Sequence, residues 1–107
     1  MRCAEENGLV RFVWEFMARA DRVAEFESAY AKSGPWAQLF RKSGGFHGTT
    51  LLRDSENARR YVTIDLWQNV SSQKEMRERF AKEYAELDRA CEAFSESERR
   101  IGIFEEL

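Results

Sequence analysis

A carboxylate and an indole lie close together near the end of a predicted strand, residues 60–67, RYVTIDLW. Side chains alternate between the two faces of a strand, so Asp65 and Trp67 share one face. A carboxylate among apolar neighbours is costly unless it is paired or borders a wet cavity. If it is paired, an arginine such as Arg53 or Arg79 is the expected partner. If it borders a cavity, a raised pKa would suit it to act as a general base.

His47 is the second candidate base, because it is the only histidine and imidazole titrates close to neutral pH. It stands beside Gly48, where the backbone could approach a ligand closely. A solvent-facing position on a strand is the alternative. One histidine without neighbouring His or Cys is poor evidence for a metal site. The sequence also has no glycine loop that would cradle phosphate and no nucleophile–histidine pair, so we expect neither metal nor cofactor.

Four strands that would position these residues are predicted from alternating apolar and polar side chains. The first, residues 10–18, VRFVWEFMA, has an aromatic face formed by Val10, Phe12, Trp14 and Phe16. The others are predicted at residues 46–53, 60–67 and 100–104. Residues 54–59, DSENAR, would form the hairpin loop between the second strand and the third.

Three helices are predicted from apolar residues spaced three and four apart. The first would be capped by Asp21 and end at Gly34, and a second, short helix would begin at Pro35. The third and longest would start from a capping box of Ser72 and Glu75. Its apolar stripe runs without interruption through Met76, Phe80, Tyr84, Leu87, Cys91 and Phe94.

This order of elements is the split-βαβ, ferredoxin-like pattern of the α+β class, a four-stranded antiparallel sheet with its helices on one face. The uncovered face of such a sheet should be polar. Here Val62, Ile64 and Leu66 make that face of the third strand apolar, and Val13 adds to it on the first strand. Because an exposed apolar patch marks an interaction surface, we expect a homodimer packed sheet to sheet. A loop or the N-terminal arm covering this face is the alternative.

The composition predicts one soluble domain over residues 1–107, with residues 1–9 as a flexible N-terminal arm. Hydrophobic residues make up 43% and charged residues 34%, as in globular chains. The net charge of −2 and the absence of a basic stripe argue against nucleic acid as the main partner. No segment has the ~20 apolar residues of a membrane span or the apolar run of a signal peptide. Cys3 and Cys91 are expected to be free thiols in a cytoplasmic protein.

A resemblance to a known family rests on four segments: VRFVWEF, AYAKSGPWAQLF, YVTIDLWQNVSSQKEMRERF and ERRIGIFE. From about residue 10 to residue 104 the chain resembles the antibiotic biosynthesis monooxygenase family of the dimeric α/β-barrel superfamily. The resemblance implies a sheet-on-sheet dimer with a pocket between the sheet and the helices of each subunit. Some members oxidise polycyclic phenols or anthrones to quinones with O₂ alone. It therefore implies a cofactor-independent monooxygenase that acts on an aromatic or polyketide-like small molecule.

The candidate site residues come from this resemblance and from the pattern of aromatic side chains on the strands and helices. Trp67 matches a position where a tryptophan ends the third strand and borders the pocket. The side chains expected to hold the ligand are Trp67, Trp14, Tyr84, Trp36 and Phe80, each of which would otherwise belong to the core. Tyr84 would orient the ligand through its hydroxyl, and Trp36 would be a lid or a plug. Asp65 or His47 would remove a proton from the ligand, which forms the carbanion that O₂ attacks.

Three other functions remain open. A non-catalytic homodimer that binds or senses a small molecule would have the same pocket and retain its ligand unchanged. A purely structural dimer would have a filled core and a cavity volume near zero. Haem degradation, which relatives of similar fold perform, is the weakest alternative, because those relatives use a helix histidine and a first-strand asparagine. This sequence has neither residue at those places.

Overall fold

The computed structural model describes residues 9–107, in which four strands and four helices follow one another. Their bounds are β1 Val10–Ala18, α1 Val23–Tyr30, α2 Pro35–Arg41, β2 Phe46–Asp54, β3 Asn57–Trp67, α3 Val70–Arg79, α4 Ala81–Cys91 and β4 Ser95–Glu105, with a 3₁₀ turn Glu92–Phe94 before the last strand. The predicted N-terminal arm, apart from Leu9, and Cys3 lie outside the described residues. No helix within residues 9–107 is long and apolar enough to cross a membrane.

The strands form one antiparallel sheet in the order β2-β3-β1-β4. This is the strand order of the ferredoxin-like fold, so the predicted α+β class is confirmed. In the central pair, Phe12 of β1 lies opposite Asp65 of β3, and Phe16 lies opposite Tyr61. Directly opposed residues point to the same face. The aromatic row of β1 and the mixed row of β3 therefore share the face on which the helices pack.

Two aromatic clusters fill the space between this face and the helices. In the first, Phe26 of α1 has no exposed surface, and its ring centroid lies 5.3 Å from that of Phe16 and 4.7 Å from that of Tyr61. The second surrounds Trp67 at the end of β3. Aromatic pairs at such separations contribute about 0.5–1.5 kcal/mol beyond the burial of their area. Trp14 and Tyr30 pack against both clusters and connect them.

The opposite face of the sheet remains accessible and is largely apolar at its centre. The apolar side chains predicted there, Val13, Val62, Ile64 and Leu66, are half-buried. The register adds two side chains to the same face: Leu52, opposite Val62, and Phe104, opposite Arg11, each 48% exposed. We refer to this surface as the open face.

The single long helix predicted from Ser72 onward is wrong in its start and in its continuity. Asn69 caps it instead of the Ser72–Glu75 box, because Asn69 Oδ1 accepts from the backbone N–H of Ser72 at 2.8 Å and the helix begins at Val70. It breaks at Phe80 (φ −113°, ψ 36°), so that α3 and α4 share the predicted stripe. No proline or glycine stands near the break to signal it in the sequence.

The predicted ends of the first helix are also wrong. Asp21 does not cap α1 but pairs with Arg19, with 3.3 Å between Arg19 Nε and Asp21 Oδ1. The helix ends at Tyr30, and Gly34 instead precedes Pro35 at the start of α2. A Cβ on Gly34 would lie 2.5 Å from the carbonyl oxygen of Ser28. Glycine is required there because of this close approach of two backbone segments rather than as a helix terminator.

The strand ends extend further than predicted. The hairpin loop expected at residues 54–59 is a two-residue turn, Ser55 and Glu56, in which the carboxylate of Asp54 accepts from the backbone N–H of Glu56 at 2.8 Å. Strand β4 begins at Ser95 rather than at Arg100. These strand ends were missed because their residues are mostly charged or polar and show no alternation of apolar and polar side chains. The first residues of β4 nevertheless pair with β1.

Candidate functional site

A cavity of about 50 Å³ lies between the sheet and the helices, where the two aromatic clusters meet. Its walls contain six aromatic rings: Trp14, Phe16, Tyr30, Trp36, Phe40 and Tyr84. The polar side chains that line it are Thr49, Thr63, Asp65, Asp88 and Glu98. Within residues 9–107, no lysine, arginine or histidine lines this cavity. Among the residues that the structure describes, this aromatic pocket is thus lined by acidic but not by basic side chains.

Asp65 lies on β3, on the sheet side of the cavity. The hydroxyl of its neighbour Thr49, on β2, donates to Asp65 Oδ1 at 2.6 Å. Burial raises the pKa of Asp65 to about 6, and the hydrogen bond from Thr49 opposes this rise because it favours the charged form. A carboxylate with such a pKa can accept a proton from a ligand near neutral pH.

The salt bridge considered for Asp65 is not formed. Arg53 instead pairs with Glu27, with 3.3 Å between Arg53 Nη1 and Glu27 Oε2. Arg79 lies over the ring of Phe80, at 5.4 Å from the ring centroid. No basic side chain within residues 9–107 forms an ion pair with Asp65. The carboxylate is therefore a half-buried group at a cavity, held by one hydroxyl.

Asp65→Asn should make the protein more stable at alkaline pH. The pKa of Asp65 is about 6 in the folded protein, whereas the ordinary value for an aspartate, expected in the unfolded chain, is 3.8. The folded state therefore binds the proton of Asp65 more tightly than the unfolded state does. The stabilisation that the folded state gains from this tighter proton binding is complete below pH 3.8 and is lost as the pH rises through about 6. The variant should gain about 1–2 kcal/mol of unfolding free energy at pH 8 and almost none at pH 4. Urea denaturation of both proteins at the two pH values tests this, and a variant less stable at pH 8 would contradict it.

An aromatic wall borders the cavity on the helix side. The ring centroid of Trp36 lies 5.1 Å from that of Tyr84, in an edge-to-face arrangement, and 6.1 Å from that of Tyr30, in a stacked one. Burial raises the pKa of the Tyr84 hydroxyl, which therefore remains a hydrogen-bond donor at neutral pH. Trp36 is only 7% exposed, and its indole Nε1 has no hydrogen-bond partner within residues 9–107.

Two more carboxylates line the cavity and were not predicted. Asp88 follows Tyr84 by four residues in α4, a spacing that places both side chains on the same side of the helix. Glu98 lies on β4 opposite Phe16, and so on the helix-covered face. The helical spacing could have identified Asp88 from the sequence. Glu98 could not be identified, because the last strand was predicted to begin only at residue 100.

Four of the seven residues expected in the site line the cavity: Trp14, Trp36, Asp65 and Tyr84. His47 does not. It is exposed beside a shift in strand register, where Gly48 has a φ of +136°, and its Nε2 lies 3.0 Å from Gln68 Oε1. It borders a separate groove that also involves Arg11 and Leu66 of the open face. His47 therefore does not line the cavity, and its role as a base stays a prediction.

Trp67 and Phe80 also lie away from the cavity. Trp67 is 1% exposed, and its ring packs at 5.5 Å from Phe40 and 5.2 Å from Phe46. Phe80 is half-buried at the break between α3 and α4, with the ammonium of Lys42 at 5.9 Å from its ring centroid. Both residues support the core around the cavity and do not line it, and their contact with a ligand stays a prediction.

Cys91 is a buried free thiol, and burial raises its pKa, which keeps it protonated and unreactive. In the described part of the chain, no three His, Cys, Asp or Glu side chains lie close enough together to hold a metal ion. The three carboxylates at the cavity thus do not form a metal centre.

The chain is similar to several solved structures. It shares 28% identity with SnoaB, a cofactor-independent oxygenase from Streptomyces nogalater, over 91% of each chain and with a TM-score of 0.75. A protein from Bordetella bronchiseptica, proposed to be an antibiotic biosynthesis monooxygenase, shares 20% identity over 94% of this chain and 96% of that one, with a TM-score of 0.69. A protein from Nitrosomonas europaea with the same proposed assignment shares 11% identity over 94% of this chain and 92% of that one, with a TM-score of 0.72. No protein-family model matches the sequence, and no curated protein matches it.

Proposed function

Since the chain belongs to the dimeric α/β-barrel superfamily and has the fold of its antibiotic biosynthesis monooxygenases, we propose that it is a cofactor-independent monooxygenase. Its substrate would be an aromatic or polyketide-like small molecule, oxidised with O₂. The observation that carries the proposal is Asp65, an acid with a pKa of about 6 that borders an aromatic cavity. The similarity to SnoaB, itself a cofactor-independent oxygenase, supports the same kind of reaction.

The size of the cavity limits how such a substrate binds. Its volume of about 50 Å³ is well below the roughly 300–1,000 Å³ of pockets that enclose drug-sized ligands. A ligand would insert one ring, or the edge of one ring, and leave the remainder at the mouth. Trp14 from the sheet and Trp36 from α2 are the largest rings that could hold an inserted ring in place.

The proposed reaction starts when the carboxylate of Asp65 takes one of the two protons of an acidic CH₂ carbon of the substrate, and the second hydrogen of that carbon leaves later in the water. The resulting carbanion transfers one electron to O₂, and the radical pair combines into a peroxide at that carbon. Asp65 returns its proton to the peroxide, and loss of water leaves a carbonyl group. One oxygen atom thus enters the product and the other leaves as water. Tyr84, as a protonated phenol, would orient the substrate by donating to its oxygen.

Oxygen consumption tests this proposal directly. The purified protein, with a chelator and without added flavin, should oxidise members of a panel of anthrones and hydroxylated naphthalenes, since no step requires a cofactor. One O₂ should be consumed per product, and ¹⁸O₂ should place one labelled atom in it. A ligand that binds and is recovered unchanged from every reaction would contradict the oxygenase and favour the non-catalytic binding dimer.

We also propose that the protein is a homodimer through the open face. Val13, Val62, Ile64 and Leu66 form its apolar centre, and Leu52 is 48% exposed beside them. Soluble monomers rarely expose a large contiguous apolar surface. The patch is bounded by charge, in agreement with the usual arrangement of an apolar centre and a polar rim.

The charged boundary is an ion-pair network centred on Glu15. Its carboxylate accepts from Arg60 Nε at 2.7 Å and from Arg99 Nη2 at 2.8 Å. Hydrogen bonds from Arg99 and then Arg60 lower the pKa of Glu15. Asp54 adds a second carboxylate to Arg60, at 3.1 Å. Glu15 and Asp54 are both paired by these contacts, so a partner sheet could approach this end of the patch without burying a lone charge on either carboxylate.

A further inference from the structure

A groove of about 390 Å³ lies at the start of β2, at one edge of the sheet, and we refer to it as the basic groove. The side chains that line it and can carry a positive charge are Arg11, Lys32, Arg41 and His47. Within residues 9–107, no Asp or Glu lines it. Arg11 Nη2 lies 2.8 Å from Glu106 Oε1, whereas Lys32 and Arg41 form no ion pair with a carboxylate in this part of the chain. The positive charge of the groove is therefore only partly neutralised.

The basic groove is continuous with the open face. Ile64 and Leu66, which belong to the apolar centre of the open face, also line the groove. A partner sheet that packs on the open face would therefore approach the groove as well. Cations brought into an interface without an opposite charge are costly. We therefore expect the partner to bring acidic side chains to Lys32 and Arg41.

An acidic side chain lies at the opposite edge of the sheet, where β4 ends. Glu105 is exposed and forms no ion pair with the described residues, 9–107. It lies at the same level along the strands as the groove, because one row of paired residues crosses the whole sheet: Phe46, Trp67, Val10 and Glu105. Glu105 shares the helix-covered side with Val10, and Lys32 and Arg41 come from the helix layer. The acid and the two cations thus lie at the same end and on the same side of the sheet, but at opposite edges.

The symmetry of a homodimer determines whether these groups meet. A twofold axis that runs between the two sheets, parallel to the strands, exchanges the sheet edges and keeps the level along the strands. Strand β4 of one protomer then lies beside β2 of its partner, at matching levels. A twofold axis perpendicular to the strands, in the plane between the sheets, would instead place β2 against β2 and β4 against β4. Only the first arrangement brings Glu105 to the basic groove.

We propose that Glu105 of each protomer pairs with the partner's Lys32 and the partner's Arg41, so that the two sheets are joined at both edges. The contact is isologous and therefore occurs twice in each dimer. Its place at the edge agrees with the polar rim that usually surrounds an apolar interface. The inference rests on the proposed homodimer and adds to it the direction of the twofold axis and the residues that meet at the edges.

Phe104 adds an apolar contact to the same arrangement. It is 48% exposed on the open face, and the register places it in one row with Gly48, through Arg11 and Leu66. The exchange of edges therefore puts Phe104 over the partner's Gly48. A Cβ added at Gly48 would meet nothing within 4 Å, so there is room for the ring at this end of the groove.

Two variants of reversed charge test this inference when they are mixed. Lys32→Glu alone places glutamates opposite each other at both edges, and Glu105→Lys alone places lysines opposite each other. A heterodimer of the two variants restores an acid–base pair at both edges. After one variant has been labelled with ¹⁵N and the mixture has equilibrated, native mass spectrometry should find more than about 80% of the dimers as heterodimer, because two heterodimers replace every like-charge contact of two homodimers by an ion pair. Random association would give half.

Lys82→Glu mixed with Glu105→Lys is the matched control. Lys82 is exposed on α4 and does not line the basic groove, so this mixture should contain about the random half of heterodimer. Because Lys32 and Glu105 lie at opposite edges of one sheet, their coupling arises between chains. Random association of Lys32→Glu with Glu105→Lys, or an equal excess of heterodimer in the control, would overturn the edge contact and leave the homodimer standing. A parent protein that is monomeric at micromolar concentration would overturn both.

Discussion

Asp65→Asn is expected to lower the rate of substrate oxidation by about 100- to 10,000-fold, the usual contribution of a general base. The amide has nearly the shape of the carboxylate and can still accept from Thr49, so binding should change little. In the parent protein kcat/KM should rise with pH through about 6 and level off above it, because only the ionised Asp65 accepts a proton. Oxygen-electrode rates from pH 4.5 to 8.5 measure both effects.

Thr49→Val provides the comparison for this experiment. Its hydroxyl stabilises the charged form of Asp65, so removing it should raise the pKa of Asp65 further and move the midpoint of the pH profile upward. Asp65→Asn should have no such midpoint. A variant at Asp65 that keeps the parental rate and pH profile would remove this residue from catalysis.

The residues on β1 and β3 were predictable because alternation depends only on the geometry of a strand. Once the two strands pair in antiparallel register, Trp14 and Asp65 must share a face of the sheet. Both side chains then lie in the layer between the sheet and the helices. Tyr84 was predictable in a similar way, because its helical spacing from the other apolar residues predicts that it faces the sheet. These positions follow from local periodicity and a known fold, and they form part of the cavity wall.

Local geometry that depends on tertiary contacts was not predictable. The register shift beside Gly48 leaves His47 exposed and away from the cavity. The helix breaks at Phe80 although no proline or glycine stands near this position to predict a break. The side chain of Phe80 consequently contacts Lys42 and does not line the cavity. Trp67 was correctly placed on the helix-covered face, but its depth there depends on how Phe40 and Phe46 pack around it. Periodicity gives the face of a side chain and not its neighbours.

Glu98 shows the same limit in a residue that lines the cavity. Glu98 stands in a run of charged residues, SESERR, that contains no apolar side chain. Alternation cannot identify a strand in such a run. Pairing with β1 makes it a strand nevertheless, and the register then fixes Glu98 opposite Phe16. Glu98 could therefore not be identified from the sequence, because pairing with β1, rather than the local sequence, makes its segment a strand.

Ile64→Arg is expected to convert the proposed homodimer into a monomer. Ile64 lies at the centre of the open face, between Val13 on β1 and Thr50 on β2. In a sheet-to-sheet dimer the new guanidinium would be buried without a partner, at about 3–5 kcal/mol. The dissociation constant should then rise by at least about a hundredfold. Sedimentation or native mass spectrometry of both proteins at micromolar concentration measures this change.

The monomer should remain folded, because Ile64 points away from the helices and is only half-buried. Circular dichroism of the variant should therefore match the parent. Val70→Arg is the matched control: Val70 is 48% exposed at the start of α3 and off the sheet, so the same charge added there should leave the dimer intact. A parent protein that is monomeric at micromolar concentration, or a folded Ile64→Arg variant that remains dimeric, would refute the open face as the dimer interface. Either result would require a different partner for the apolar surface formed by Val62, Ile64 and Leu66.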